Sequence, residues 1–148
     1  MGINTVGTRT NWTPVGDGDI TIDSAAEESV CPKDWGKAYK METPAKWLQF
    51  SNASGGKMQH YGEKRATFRV GNGGSVMAMK FQASDVQKPL AAVWRIAEKG
   101  NKIHFGPDAG DNYIENIHTG KRINMVRKGG SYVMEVGFVT EGFIRPAM

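Results

Sequence analysis

Cysteine is nearly missing: Cys31 stands alone among 148 residues. That scarcity excludes an intramolecular disulfide and any multi-cysteine metal site, and it fits a reducing, intracellular compartment. Long apolar runs are missing too. None approaches the roughly 20 residues a membrane-spanning helix needs, so no membrane contact is expected. Residues 1–18 lack the apolar core of a secretory signal. Asn11-Trp12-Thr13 and Asn52-Ala53-Ser54, which match the glycosylation pattern, are therefore read as chance. His60, His104 and His118 lie far apart with no ligand spacing, so neither a metal nor another cofactor is expected.

Glycine is the residue in excess. Nineteen glycines against six prolines, with no Gly-X-Y period, point to many tight turns in a mainly β protein. Apolar residues at 39% and charged residues at 23% suit a folded chain of single-domain size. The net charge of +4 is spread out, with its densest points at Lys64-Arg65, Lys121-Arg122 and Arg127-Lys128. Each falls at an expected turn or strand end, so they are read as solvated strand edges kept from pairing by charge. A nucleic-acid face is the weaker reading.

The chain is expected to open with a loose arm over 1–18. Ile20-Thr21-Ile22 reads as a strand leading into Asp23. Trp47-Leu48-Gln49-Phe50 reads as a strand, and with the glycine-bearing turn 51–56 and Lys57 to Tyr61 it makes a hairpin with a long tip. Arg65 to Val70 and Val76 to Phe81 make a second hairpin. One helix is expected from about Lys88 to Lys99: Leu90, Val93, Trp94 and Ala97 recur at helical spacing, Pro89 suits the first turn and Gly100 the end. Lys102 to Phe105, Asn112 to Ile117, Arg122 to Val126 and Ser131 to Val139 read as further strands. Met77, Met79, Met125, Met134 and Trp94 are assigned to the core, while Lys33 to Pro44 shows no clear element.

Asp23-Ser24-Ala25-Ala26, at the end of its strand, resembles the Asp-Ser/Thr-Gly-Ala signature of retropepsins, the aspartic proteases of retroviruses and retrotransposons. The order of the later segments is similar as well. The hairpin Phe50 to Tyr61 resembles the flap that covers substrate, and Ala83 to Val93 resembles the strand, loop and helix that complete the lobe. The stretch from Leu90 through Tyr113-Ile114-Glu115-Asn116 and His118-Thr119-Gly120-Lys121 to Val136 is similar to the end of copia-type retrotransposon proteases. The resemblance covers about 19–139, leaving 140–148 as a tail. It implies a closed β-barrel lobe with one short helix and additional C-terminal hairpins.

It also implies a mechanism. Peptide hydrolysis by carboxylates needs two of them sharing one proton, because two aspartates in hydrogen-bond contact cannot both ionise. This sequence has one Asp-Ser-Ala-Ala, and neither Asp85 nor Asp34 sits in such a setting. The resemblance therefore implies a homodimer in which Asp23 of each subunit meets on the two-fold axis. Ser24 would hydrogen-bond across that axis, with Ala25 and Ala26 supporting the loop. Ser51, Asn52, Ala53, Ser54, Gly55, Gly56 and Lys57 would cover the substrate, a polypeptide of the retroelement itself, in the cytoplasm or in retroelement particles.

Ala25 stands where the family carries glycine, and Ala92, in Leu90-Ala91-Ala92, replaces a second one. An added methyl at Ala25 is tolerable only with an ordinary backbone angle. A lobe that binds protein or nucleic acid without cutting is the alternative these two alanines raise. A third reading, a nucleophilic Cys31 paired with a histidine, has no supporting flanking sequence; Cys31 is read as a buried structural thiol. Asp23 as a plain turn cap and Glu27-Glu28 as a solvated turn are the simpler structural readings beside these.

Overall fold

In the computed structural model, described over residues 4–5, 11–71 and 74–141, the alternating segments form strands. In chain order the elements are β1 (Asn4–Thr5), β2 (Trp12–Asp23), β3 (Val30–Pro32), β4 (Phe50–Ser51), β5 (Lys57–Met58), β6 (His60–Val70), β7 (Met77–Ser84) and β8 (Leu90–Ala92). The helix α1 (Val93–Glu98) comes next, then β9 (Asn101–His104), β10 (Tyr113–Asn116), β11 (Arg122–Asn124), β12 (Val126–Lys128) and β13 (Ser131–Glu141). The protein is mainly β.

The main sheet closes on itself. β6 and β7 pair antiparallel, β7 runs parallel to β3, and β3 meets β8 at Val30 and Leu90. β8 runs parallel to β2, β2 pairs antiparallel with β13, and β13 returns to β6. Each member strand of the ring has a neighbour on both sides over part of its length, which shortens the free edges that invite aggregation. β9, β10 and β11 form a separate three-stranded sheet, and β4 with β5 a small hairpin. Among the described residues no helix is long and apolar enough to cross a membrane.

Inward-facing side chains of the ring strands make one core: Ile20 and Ile22 from β2, Phe68 from β6, Met79 and Phe81 from β7, Met134 from β13. Met77 and Met125 are buried with them, as the sequence led us to expect. Trp35 closes one end, its ring edge-on to Phe81 at 5.0 Å and to Phe138 at 5.3 Å. Lys64 is buried, and its ammonium reaches the carbonyls of Lys33 at 2.9 Å and Trp35 at 2.7 Å. It thereby ties the irregular stretch after β3 to the sheet.

Several expectations need correction. The strand before Asp23 runs back to Trp12, so at least 12–18 belongs to the sheet rather than to an arm; β13 likewise extends past 139 to Glu141. The glycines and aspartates of Val15 to Asp19 have little strand propensity of their own. They are held extended by pairing along β13. The expected helix is half its length: Leu90 to Ala92 is drawn into a parallel ladder with β2, and only Val93–Glu98 is helical. Gly100 ends it as expected, with φ of +90°. Trp94 is 46% exposed and not core. Of Trp47 to Phe50 only Phe50 is in a strand, and the stretch expected as one strand from Arg122 to Val126 is broken at Met125. The turn expected at 71–74 lies partly outside the described residues.

Candidate active site

Asp23 ends β2, with Ala92 of β8 as its register partner on the parallel side and Ile22 opposite Tyr132 on the other. The carboxylate therefore leaves the sheet from a position fixed by neighbours on both flanks. Beyond it the chain turns, and the Ala25 N–H donates to Asp23 Oδ1 at 2.8 Å. No non-glycine residue among those described has positive φ. Ala25 thus meets the condition under which a methyl is tolerated there, and its exposed side chain meets no crowding. Ala92 is fully buried behind the loop.

The loop from Ser24 to Ser29 is tied to β8 and α1 by three contacts. The Ala92 N–H donates to Ser29 Oγ at 3.0 Å, with both residues buried. The Trp94 indole N–H donates to the Glu27 carbonyl at 2.8 Å. Arg95 Nη2 reaches Glu28 Oε1 at 2.7 Å, and its guanidinium lies over the Trp94 ring at 3.9 Å. Glu28 is thus no free turn residue: its hydrogen bond, ahead of all other influences, pushes the Arg95 guanidinium above its ordinary value. These ties join residues more than sixty positions apart, so no local sequence signal announced them.

A cavity of about 550 Å³ opens beside Asp23. Asp23 and Ser24 line it together with Lys88, Leu90, Phe105 and Tyr132. Among the described residues Asp23 is the only acid in its wall. The Ser24 hydroxyl is exposed and makes no side-chain hydrogen bond among the described residues. Ala25 and Ala26 flank the cavity without lining it, and none of Ser51 to Lys57 contributes to it. A larger open concavity of about 640 Å³ between β2, β6 and β13 carries Asp17, Asp19 and Glu135. Asp19 and Glu135 are already paired with Lys128, at 3.0 and 2.9 Å.

The hairpin has a built tip and a built base. Asn52 Oδ1 accepts from the N–H groups of Ser54 at 3.0 Å and Gly56 at 2.8 Å. Gly55 takes a φ of +84°, which favours glycine. At the base, His60 Nδ1 accepts from the Leu48 N–H and His60 Nε2 lies 2.9 Å from Gln82 Oε1. Trp47 and Phe50 stand edge-on to the imidazole at 5.2 and 5.3 Å. On the other side of the base, Tyr61 Oη–H and the Gln59 N–H both donate to Asp85.

Cys31 is completely buried, and burial pushes its thiol up to about 12. That disfavours the thiolate a nucleophilic cysteine needs. No group of histidine, cysteine or carboxylate side chains among the described residues is arranged to hold a metal ion. No family model, no curated protein and no solved structure matches this chain.

Proposed function

We propose that the chain is one half of an aspartic endopeptidase of retropepsin type, its strand ring being the barrel lobe of that fold. The observation that carries this reading is the setting of Asp23. A single carboxylate stands at the end of a strand flanked on both sides, on a loop tied down at three points, in a cavity with no second acid among the described residues. One carboxylate can activate water but cannot also protonate the scissile carbonyl. The second comes from another copy of the chain, placed by a two-fold axis through the Asp23 loops.

In the pair, one carboxylate is ionised and the other holds the shared proton. The ionised group takes a proton from water as its oxygen attacks the peptide carbon, while the protonated group donates to the carbonyl oxygen. The resulting gem-diol collapses with cleavage of the C–N bond: one diol hydroxyl gives its proton to the ionised carboxylate while the leaving nitrogen takes the proton of the other. One water is consumed and the dyad regains its starting state. The exposed Ser24 hydroxyl has its bonding capacity open for the partner loop; the role of excluding water over the peptide falls to the hairpin 50–58 by the sequence resemblance alone, since none of its residues lines the Asp23 cavity. The polyprotein of a retroelement is the substrate the sequence resemblance suggests. The ordinary backbone at Ala25 removes the strain argument for a lobe that has lost activity.

The test is Asp23→Asn, which keeps shape and removes the titrating group. The unmutated dimer should cleave peptides at mildly acidic pH, and the variant should lose about 10²- to 10⁴-fold or more of that rate while dimerising normally by sedimentation. Cleavage that survives the substitution refutes the assignment.

A further inference from the structure

The cavity beside Asp23 is chemically uneven. Its apolar wall is made by Leu90 from β8, Phe105 just beyond β9, and Tyr132 from β13. The Phe105 and Tyr132 rings contact each other at 4.7 Å, and Phe105 remains 40% exposed. Apart from Asp23, the one charged residue in the wall among the described residues is Lys88. Lys64, Lys80 and Lys128 are engaged by carbonyls or carboxylates. Lys88 has no such partner among the described residues. An exposed aromatic surface and an unpaired ammonium thus share one concavity with the proposed catalytic carboxylate.

Resting on the protease reading above, we propose that this cavity selects extended peptides carrying a large apolar or aromatic side chain with an acidic one two residues away. The spacing comes from strand geometry. Along an extended chain side chains alternate between faces, so positions i and i+2 point the same way, about 6.6 Å apart. A cavity of about 550 Å³ is within the size range of small-ligand sites and takes two such side chains side by side. The aromatic or apolar one packs on Phe105 and Tyr132, and the carboxylate meets the Lys88 ammonium. A basic side chain at the second position would face Lys88 with like charge, so the cavity discriminates by repulsion as well as attraction.

The test uses three peptides of one length, identical except for Glu, Gln or Lys two residues from a Phe. Cleavage is read as kcat/KM, and binding as fluorescence anisotropy on the Asp23→Asn protein, which needs no turnover. The order Glu over Gln over Lys is expected, with about a two- to fivefold step, the range of an exposed ion pair, shrinking in high salt. Lys88→Glu should reverse the order, and Phe105→Ala should remove the advantage of Phe over Ala in the partner position. A Glu-to-Lys ratio unchanged by Lys88→Glu in both readouts overturns the proposal. If cleavage occurs with no such preference, the selectivity fails and the protease reading stands. If the Asp23→Asn protein shows the preference but the unmutated protein cleaves nothing, the protease reading fails and the binding selectivity stands. Absence of both preference and cleavage sinks both.

Discussion

Replacing His60 with phenylalanine tests whether the base of the 50–58 hairpin is held by hydrogen bonds or by aromatic packing alone. The imidazole accepts from the Leu48 N–H through Nδ1, which must therefore carry the lone pair, leaving the proton on Nε2 to be donated to Gln82 Oε1. Gln82 in turn donates to Glu63, whose other oxygen faces Lys80. Phenylalanine keeps a ring against Trp47 and Phe50 and removes both bonds. Gln82 is buried and has no water to turn to, so its stranded oxygen costs about 1–3 kcal/mol. The Leu48 N–H lies in an exposed stretch and recovers part of its loss from solvent. The net loss is about 2–3 kcal/mol. For a chain of this size that lowers Tm by roughly 4–12 °C. Urea unfolding should show a lower midpoint at unchanged slope, and hydrogen exchange should accelerate most at Leu48 and through the hairpin. Adding Gln82→Leu should restore only part of the loss: it removes the stranded oxygen, but it also takes the amide donor from the largely buried Glu63 carboxylate. A His60→Phe protein within about 0.5 kcal/mol of the parent, with Leu48 exchange unchanged, would refute the reasoning.

Two further outcomes separate competing readings. Native protein should resist thiol alkylation at neutral pH, since burial holds the Cys31 thiol protonated up to about 12, and should label once unfolded; rapid labelling with loss of activity would revive the cysteine nucleophile. The Tyr61 hydroxyl, and after it the Gln59 N–H, holds the Asp85 carboxyl below its ordinary 3.8. Because the folded value is the lower one, this contribution is complete above 3.8 and disappears as pH falls through the depressed value. Asp85→Asn should therefore flatten the acid limb of thermal stability against pH, and an acid limb identical in both proteins would discount the tie.

The fold was legible where side chains alternate within one segment. Arg65 to Val70, Val76 to Phe81 and Ser131 to Val139 all lie in strands save Val76, which sits one residue before β7. The first half of β2 was not, because the run Gly16-Asp17-Gly18 has little preference for an extended backbone; its conformation is imposed by β13. Leu90, Val93, Trp94 and Ala97 carry a helical period, yet the ladder with β2 outweighs it for Leu90 to Ala92. Asp23 was legible as a motif. Its supports were not: Ser29, Glu28 and Arg95 read as ordinary surface residues until the parallel β2–β8 pairing brings the loop and the helix together. Lys88, Phe105 and Tyr132 come from three separate segments, and only the packing of the smaller sheet's β9 end beside the ring places them in one wall.

The pairing of β2 with β13 also has a consequence in time. Ile22 pairs with Tyr132 and Trp12 with Glu141, so the strand that carries Asp23 waits for more than a hundred further residues, about as many as lie between its own end and β13, before one of its flanks exists. At about 5–20 residues per second, a ribosome exposes β2 for roughly 6–25 s before β13 emerges. Contacts this distant in sequence are also the slow ones to close. The carboxylate is therefore among the last features to be held between two flanking strands, and a nascent or shortened chain lacking 131–141 carries Asp23 without the β13 side of its sheet.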